Sequence, residues 1–236
     1  MKLFIIGCQR SGTTLLGMIL GNLPDMHMID QDRLMPPMND PYDMDEVDRK
    51  LESLVEGNCC IKSPQLTYRS DYVAKHFPDA KFVCVFREPK DVVASMMSLR
   101  DDQSLWLNIH RMREAAFNNR LYVHPSIHTN CANIYRAKAL CVLNWHSDVH
   151  FVHYKDLTEN PEQTLRNICD SMELTFDKSM MDYHQHNQQS KPIGGNNWKK
   201  PIFSNSGKWM NTLSEREGWQ VDDIAKPFYE KMLELS

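Results

Sequence analysis

Residues Lys2 to Leu20 read KLFIIGCQRSGTTLLGMIL, and the side-chain pattern changes twice within them. Leu3-Phe4-Ile5-Ile6 is an apolar run of strand length that stops at Gly7, and from Thr13 onward Leu15, Leu16, Met18, Ile19 and Leu20 continue as a helix ending near Gly21. The polar stretch Gly7 to Gly12 predicts a tight turn between them. The same unit recurs at Lys81 to Phe86 (KFVCVF), followed by Pro89 in a first helical turn and then Val92, Val93, Met96 and Leu99. Cys59-Cys60-Ile61 and His150 to His153 are shorter candidate strands. Strands apolar on both faces need cover on both, which implies a parallel sheet between helices. Further helices are expected over 104–120 and 131–146, split near Pro125, and over 161–172 and 221–235.

The turn Gly7-Cys8-Gln9-Arg10-Ser11-Gly12-Thr13-Thr14 has the chemistry of an anion cradle. Successive backbone N–H groups meet the positive end of a helix, and Ser11, Thr13 and Thr14 add hydroxyl donors. Its spacing matches the P-loop pattern GxxxxGK[ST], except that Thr13 stands at the lysine position. The fold class expected is therefore α/β, with a P-loop-type parallel β-sheet flanked by helices on both faces. Nucleoside triphosphatases use the P-loop lysine on the phosphates and an aspartate for Mg²⁺. Here the later strand runs into Arg87 where an acidic metal partner could have stood, so cations are offered without a metal carboxylate. That pattern suits a metal-independent transfer.

Gly7 to Leu16 resembles the loop that holds the 5′-phosphosulfate of 3′-phosphoadenosine 5′-phosphosulfate (PAPS) in the PAPS-dependent sulfotransferases. Phe86 to Ser95, FREPKDVVAS, resembles the 3′-phosphate element of that family, in which an arginine (here Arg87) and a helix serine (here Ser95) meet the phosphate. Lys62-Ser63-Pro64 with Phe77-Pro78-Asp79-Ala80-Lys81-Phe82 is similar to a segment of the tyrosylprotein, carbohydrate and bacterial branches. His153-Tyr154-Lys155-Asp156-Leu157 before Pro161 resembles the segment that places an aromatic, here Tyr154, near the adenine; Lys155 departs from the usual acid. Ser206-Gly207-Lys208-Trp209 resembles the C-terminal element that closes over the nucleotide.

The resemblance implies sulfuryl transfer from PAPS, as donor substrate, to a hydroxyl acceptor by in-line displacement. Such transfer demands positioning, stabilisation of the departing phosphate and removal of the acceptor proton. Arg10, Ser11, Gly12, Thr13 and Thr14 would hold the donor, with Arg87, Ser95, Tyr154 and Ser206 to Trp209 around the nucleotide. Lys62 would stabilise the bridging oxygen and supply the charge missing at Thr13. In the tyrosylprotein branch a glutamate base lies seven residues beyond the proline after the first helix; the count from Pro24 falls on Gln31, which cannot act as a base. Asp30 is preferred in its place, with Asp32, His124 and His128 as alternatives. Two competing functions stay open, a P-loop nucleotide kinase and a non-catalytic protein that binds PAP (3′,5′-adenosine bisphosphate) or another nucleotide.

The composition of the full 236-residue chain bounds these expectations. A net charge of −4 with 25% charged residues argues against general nucleic-acid binding. Seven scattered cysteines without a CxxC pair indicate neither a disulfide framework nor a zinc site, and no bound metal is expected. With no apolar run of about 18 residues and an apolar start too short for a secretory leader, no membrane span is expected and a cytoplasmic location is. The chain is taken as one domain over 1–236, its start at residue 2 being where membrane-anchored relatives would carry an anchor. Asp25 to Glu56 carries ten acidic residues against three basic, whereas 184–210 has four lysines and no acid. The first is expected to be an acceptor-side insertion, 25–57, suited to a neutral or cationic acceptor. The second, 184–208, is expected to be a lid. Carbohydrate, peptide tyrosine and small metabolite are the acceptor classes, in that order; the sequence does not speak to oligomeric state.

Overall fold

A computed structural model describes residues 1–30, 34, 44–54, 57–98, 124–145, 149–186 and 200–236. Five strands form one sheet in the order β2-β3-β1-β4-β5, and every pairing is parallel. They are β1 (Lys2–Ile6), β2 (His27–Asp30), β3 (Cys59–Lys62), β4 (Lys81–Phe86) and β5 (Val149–His153). The longer helices among the described residues are α1 (Thr13–Leu20), α2 (Met44–Leu54), α3 (Ser70–His76), α4 (Pro89–Met97), α5 (Ile127–Leu143), α6 (Tyr154–Glu159), α7 (Pro161–Met172) and α8 (Glu215–Glu234).

Alternation along the strands sorts the apolar side chains into two cores. Leu3, Ile5, Cys60, Val83, Val85 and Val152 face Leu16, Ile19 and Leu20 of α1 and Leu165, Ile168 and Cys169 of α7. Phe4, Ile6, Ile61, Phe82, Cys84 and Phe86 face the opposite layer, where Val92 and Val93 of α4, Ile134 and Tyr135 of α5, and Val221 and Ala225 of α8 pack. The α/β architecture with helices on both faces is the one the apolar runs require.

Three expectations change. The stretch 25–57 contributes β2 to the sheet, and Val47 and Leu51 of α2 join the core, so an integral strand and a packed helix lie within the expected insertion. The last helix begins at Glu215 rather than 221 because Ser214 and Glu217 form a reciprocal capping box, satisfying two amides at the helix start. The fifth helix runs over Ile127–Leu143 instead of 131–146. The helix expected over 104–120 lies outside the described residues, as do Gln31, Asp32 and 187–199 of the expected lid.

The sheet order positions the site. β1 is central, and the loop after it emerges at the C-terminal edge between the ends of β3 and β4, the usual ligand crevice of a parallel α/β sheet. Lys62 and Arg87 stand at those two ends.

Candidate functional site

The loop Gly7–Gly12 is shaped by two glycines that no other residue could replace. Gly7 has φ 127°, and a Cβ there would lie 2.2 Å from the Val85 carbonyl oxygen. Gly12 has φ 105°, and a Cβ would lie 2.6 Å from Cδ2 of Tyr154. Thr67 pins the start of the loop, accepting from the Gly7 N–H at 2.8 Å and donating to the Gly7 carbonyl at 3.0 Å. Arg10 also adopts a left-handed conformation, φ 70°, the kind of backbone strain that concentrates at ligand sites. No side chain caps α1, so its first amides remain available beside the loop.

A cavity of about 160 Å³ opens there, walled by Arg10, Gly12, Thr13, Thr14, Arg87, Ser95 and Tyr154, together with Tyr183, Pro201, Ile202, Phe203 and Asn205. Two guanidiniums share it. Arg10 Nε donates to Ser95 Oγ at 3.0 Å, and Arg87 Nη1 donates to the Arg10 carbonyl at 3.4 Å. Arg87 Nη2 donates to the Asn205 carbonyl and lies 3.5 Å from Asp91, while its Cζ sits 4.5 Å above the Tyr154 ring. Its Nε is buried with no acceptor. Burial, and next the charge of Arg87, lower the Arg10 pKa from its ordinary value, the direction expected where two cations share a site suited to an anion. Burial raises the Tyr154 pKa, keeping the phenol neutral beside the guanidinium.

The second half of the site comes from sheet register. Asp30 and Lys62 are paired positions on β2 and β3, and Lys62 Nζ lies 2.9 Å from Asp30 Oδ2. The lysine is 3% exposed and the carboxylate 12%. Alternation turns Cys60 and Lys62 toward α1, where a Cβ on Gly17 would come within 3.1 Å of Lys62 Cβ. The absence of a side chain at 17 thus lets the lysine stem run along the helix that begins with Thr13 and Thr14.

The structure brings together Arg10, Gly12, Thr13, Thr14, Arg87, Ser95 and Tyr154 in one cavity wall, and pairs Lys62 with Asp30. Ser11 lies elsewhere: it is fully buried, its Oγ has no partner, and it faces a small space behind the loop with Cys8, Cys84 and Tyr135. Ser206 to Trp209 stand outside the cavity wall, to which the preceding Pro201, Ile202, Phe203 and Asn205 contribute instead. His128 is engaged by α8, 3.4 Å from Glu217 and 2.8 Å from Gln220, and His124 accepts the Ser126 N–H through Nδ1. Neither is joined to the Lys62–Asp30 pair by these contacts.

Other residues at the site carry no local sequence pattern that marks them. Tyr183, Pro201, Ile202, Phe203 and Asn205 complete the wall, from segments without periodicity. Lys138 of α5 is 1% exposed, donates to Gln9 Oε1 in the loop and to the Pro64 carbonyl at 2.8 Å, and lies 4.8 Å from the Tyr68 ring centroid. Its signal was a lysine at helical spacing with buried Cys131, Tyr135 and Val142. Among the described residues, no helix is long and apolar enough to cross a membrane.

Residues 42–178 match the model of the Sulfotransferase family, more than half of the chain. A putative protein-tyrosine sulfotransferase of Caenorhabditis briggsae is 20% identical over 96% of this chain and 86% of its own length. Protein-tyrosine sulfotransferase 2 of Gallus gallus is 23% identical over 81% of this chain and 56% of its own length. The match thus spans little more than half of that second relative. Among solved structures, the sulfotransferase domain from the curacin biosynthetic pathway superposes with TM-score 0.65 at 15% identity, covering 94% of this chain and 96% of that one. A mouse sulfotransferase complexed with PAP gives TM-score 0.57 at 14% identity, covering 94% and 82%.

Proposed function

Because the chain belongs to the sulfotransferase family, we propose that it moves a sulfuryl group from PAPS to a hydroxyl of its acceptor by in-line displacement. The observation that carries this is the paired construction of the site: a two-arginine anion cavity at the uncapped start of α1, and a buried lysine–carboxylate pair on β3 and β2 whose lysine stem packs against Gly17 of the same helix. PAPS would bring two anionic ends and an adenine, and the residues fit them. Arg10, Thr13, Thr14 and the α1 amides suit the 5′-phosphosulfate, Arg87 and Ser95 suit the 3′-phosphate, and Tyr154, Tyr183 and Phe203 offer aromatic surface for the base.

In the transfer, a new S–O bond forms to the acceptor oxygen as the bond from sulfur to the bridging phosphate oxygen breaks. Lys62 neutralises the charge that gathers on the departing oxygen, and Asp30 takes the acceptor proton. The products are PAP, the sulfate ester and one proton, which Asp30 passes to water. The two charges lie 2.9 Å apart, so proton uptake at one adjoins charge stabilisation at the other. Peptide tyrosine leads the acceptor classes, since the curated relatives carry that substrate in their names; carbohydrate and small-metabolite hydroxyls follow.

Two measurements test the proposal. PAP is expected to raise the melting temperature more than ATP·Mg²⁺; the reverse order would favour a nucleotide kinase. Radiolabelled PAPS is expected to label at least one pool among tyrosine peptides, oligosaccharides and small alcohols. PAP binding with no labelling of any pool would mark a non-catalytic nucleotide-binding protein.

A further inference from the structure

We infer that Asp91 is a positioning residue that locks the C-terminal turn Gly207–Trp209 to the anion-binding guanidinium of Arg87, so that binding a 3′-phosphate and seating that turn are one event. The inference rests on the donor site proposed above. Asp91 lies in the first turn of α4, four residues after Arg87, and is 2% exposed. A buried carboxylate must have its oxygens satisfied, and here partners come from two distant parts of the chain. Oδ2 accepts from the Gly207 N–H at 2.9 Å and lies 3.5 Å from Arg87 Nη2; Oδ1 accepts from the Trp209 N–H at 3.4 Å.

The same turn is held from its other side. Lys90, next to Asp91, places Nζ 4.4 Å from the Trp209 ring centroid and 2.9 Å from Asp222 of α8. The Asn205 carbonyl, two residues before Gly207, takes the second contact of Arg87 Nη2. The guanidinium therefore has one Nη on Asn205 and Asp91 and the other on Arg10, which fixes its plane and leaves the buried Nε–H without an acceptor. This also accounts for Gly207 and Trp209 lying outside the cavity wall. They act on the cavity through Asp91, not by facing it.

Asparagine at 91 keeps the shape but turns one acceptor oxygen into a donor. Whichever way the amide is turned, an NH₂ group faces an N–H of the turn, so the lock fails at one of its contacts. The test compares affinities for PAP and for adenosine 5′-monophosphate, which lacks the 3′-phosphate, by titration calorimetry. The unaltered protein should prefer PAP by about a hundredfold, as charge-assisted phosphate contacts allow. Asp91→Asn should weaken PAP about thirtyfold and the monophosphate by less than about threefold, collapsing the preference roughly tenfold. Equal weakening of both ligands, or of neither, would overturn the positioning role. If the unaltered protein shows no preference for PAP, the donor reading itself fails. Should Asp91→Asn not fold, hydrogen exchange on the native chain decides: PAP should slow the Gly207 and Trp209 amides at least about tenfold, and unchanged rates would overturn the coupling.

Discussion

Arg87 and Lys62 occupy corresponding places, yet they are held in opposite ways. Each stands at the C-terminal end of a strand beside β1, and the anion loop passes between them. Arg87 takes its carboxylate from the helix that follows it, at i+4, and its contacts with Tyr154 and two backbone carbonyls form a collar around a cation that, in the proposed function, would meet an anion. Lys62 takes its carboxylate from Asp30, 32 residues away, and only the parallel register of β2 on β3 brings the two together. The first arrangement is a guanidinium whose plane is set in advance, as a receptor would need. The second is a compensated charge pair whose balance would change if, as proposed, a reacting group arrived beside it. The difference predicts that one side governs affinity and the other turnover.

The sharpest break of that comparison is to remove each cation. Lys62→Met should lower turnover about a thousandfold, the scale of losing a preorganised transition-state donor, while the Kd for PAP moves less than about threefold. Arg87→Met should do the reverse, raising the Kd for PAP about a hundredfold with turnover at saturating donor reduced far less. Both are read from initial rates with labelled PAPS and from calorimetry. If both variants lose affinity alike, the division between the two ends is wrong.

The carboxylate comes next in size. Asp30→Asn should lower turnover about a hundredfold with PAP binding intact. Removing one member of a buried ion pair also costs stability, about 3 kcal/mol, because the remaining charge is left without its partner. The double variant Asp30→Asn/Lys62→Met removes both charges, so its melting temperature should recover toward the parent while turnover stays low. A double variant that loses the sum of the two single losses in stability would show that the pair does not couple.

The same contrast explains what could be read from the sequence. The receptor side is written in contiguous motifs: GCQRSGTT after an apolar run, and Arg87 to Ser95 after another. Both depend on local backbone and helix geometry, and the residues named there meet in one cavity, apart from Ser11, whose side chain turns behind the loop. Asp30 and Lys62 were each singled out, but their contact was not legible. β2 is four residues long, HMID, with an exposed histidine and an acid, so it lacks a strand signature and is defined by the edge of β3 it pairs with. Lys138 reaches the loop from a helix more than a hundred residues later, a distance no local pattern spans. The late start expected for α8 has a different cause: the Ser214…Glu217 capping signal opens the helix with a polar first turn, ahead of the apolar spacing that begins at Val221.

Lys138 sets the smallest and most discriminating test, since it touches both sides of the comparison without belonging to either. One ammonium joins Gln9 of the loop to the carbonyl of Pro64, two residues beyond Lys62, and so fixes the spacing between the donor cradle and the end of β3. In-line transfer is sensitive to that spacing, because a shift of about 1 Å in the reacting geometry lowers the rate even when binding is unaffected. Lys138→Met keeps the length and apolar stem of the side chain and deletes the donor. Two opposed effects then act on stability, relief of a buried ammonium and loss of hydrogen bonds to Gln9 and Pro64, and they are similar in size, so the melting temperature should change little. Turnover should fall about tenfold with the Kd for PAP within about twofold of the parent, read from the same rate and calorimetry pair. A fall in affinity instead would assign Lys138 to the receptor side, and an unchanged rate would mean that β1 and β3, whose register already pairs Ile5 with Lys62, hold the two cations at the working distance unaided.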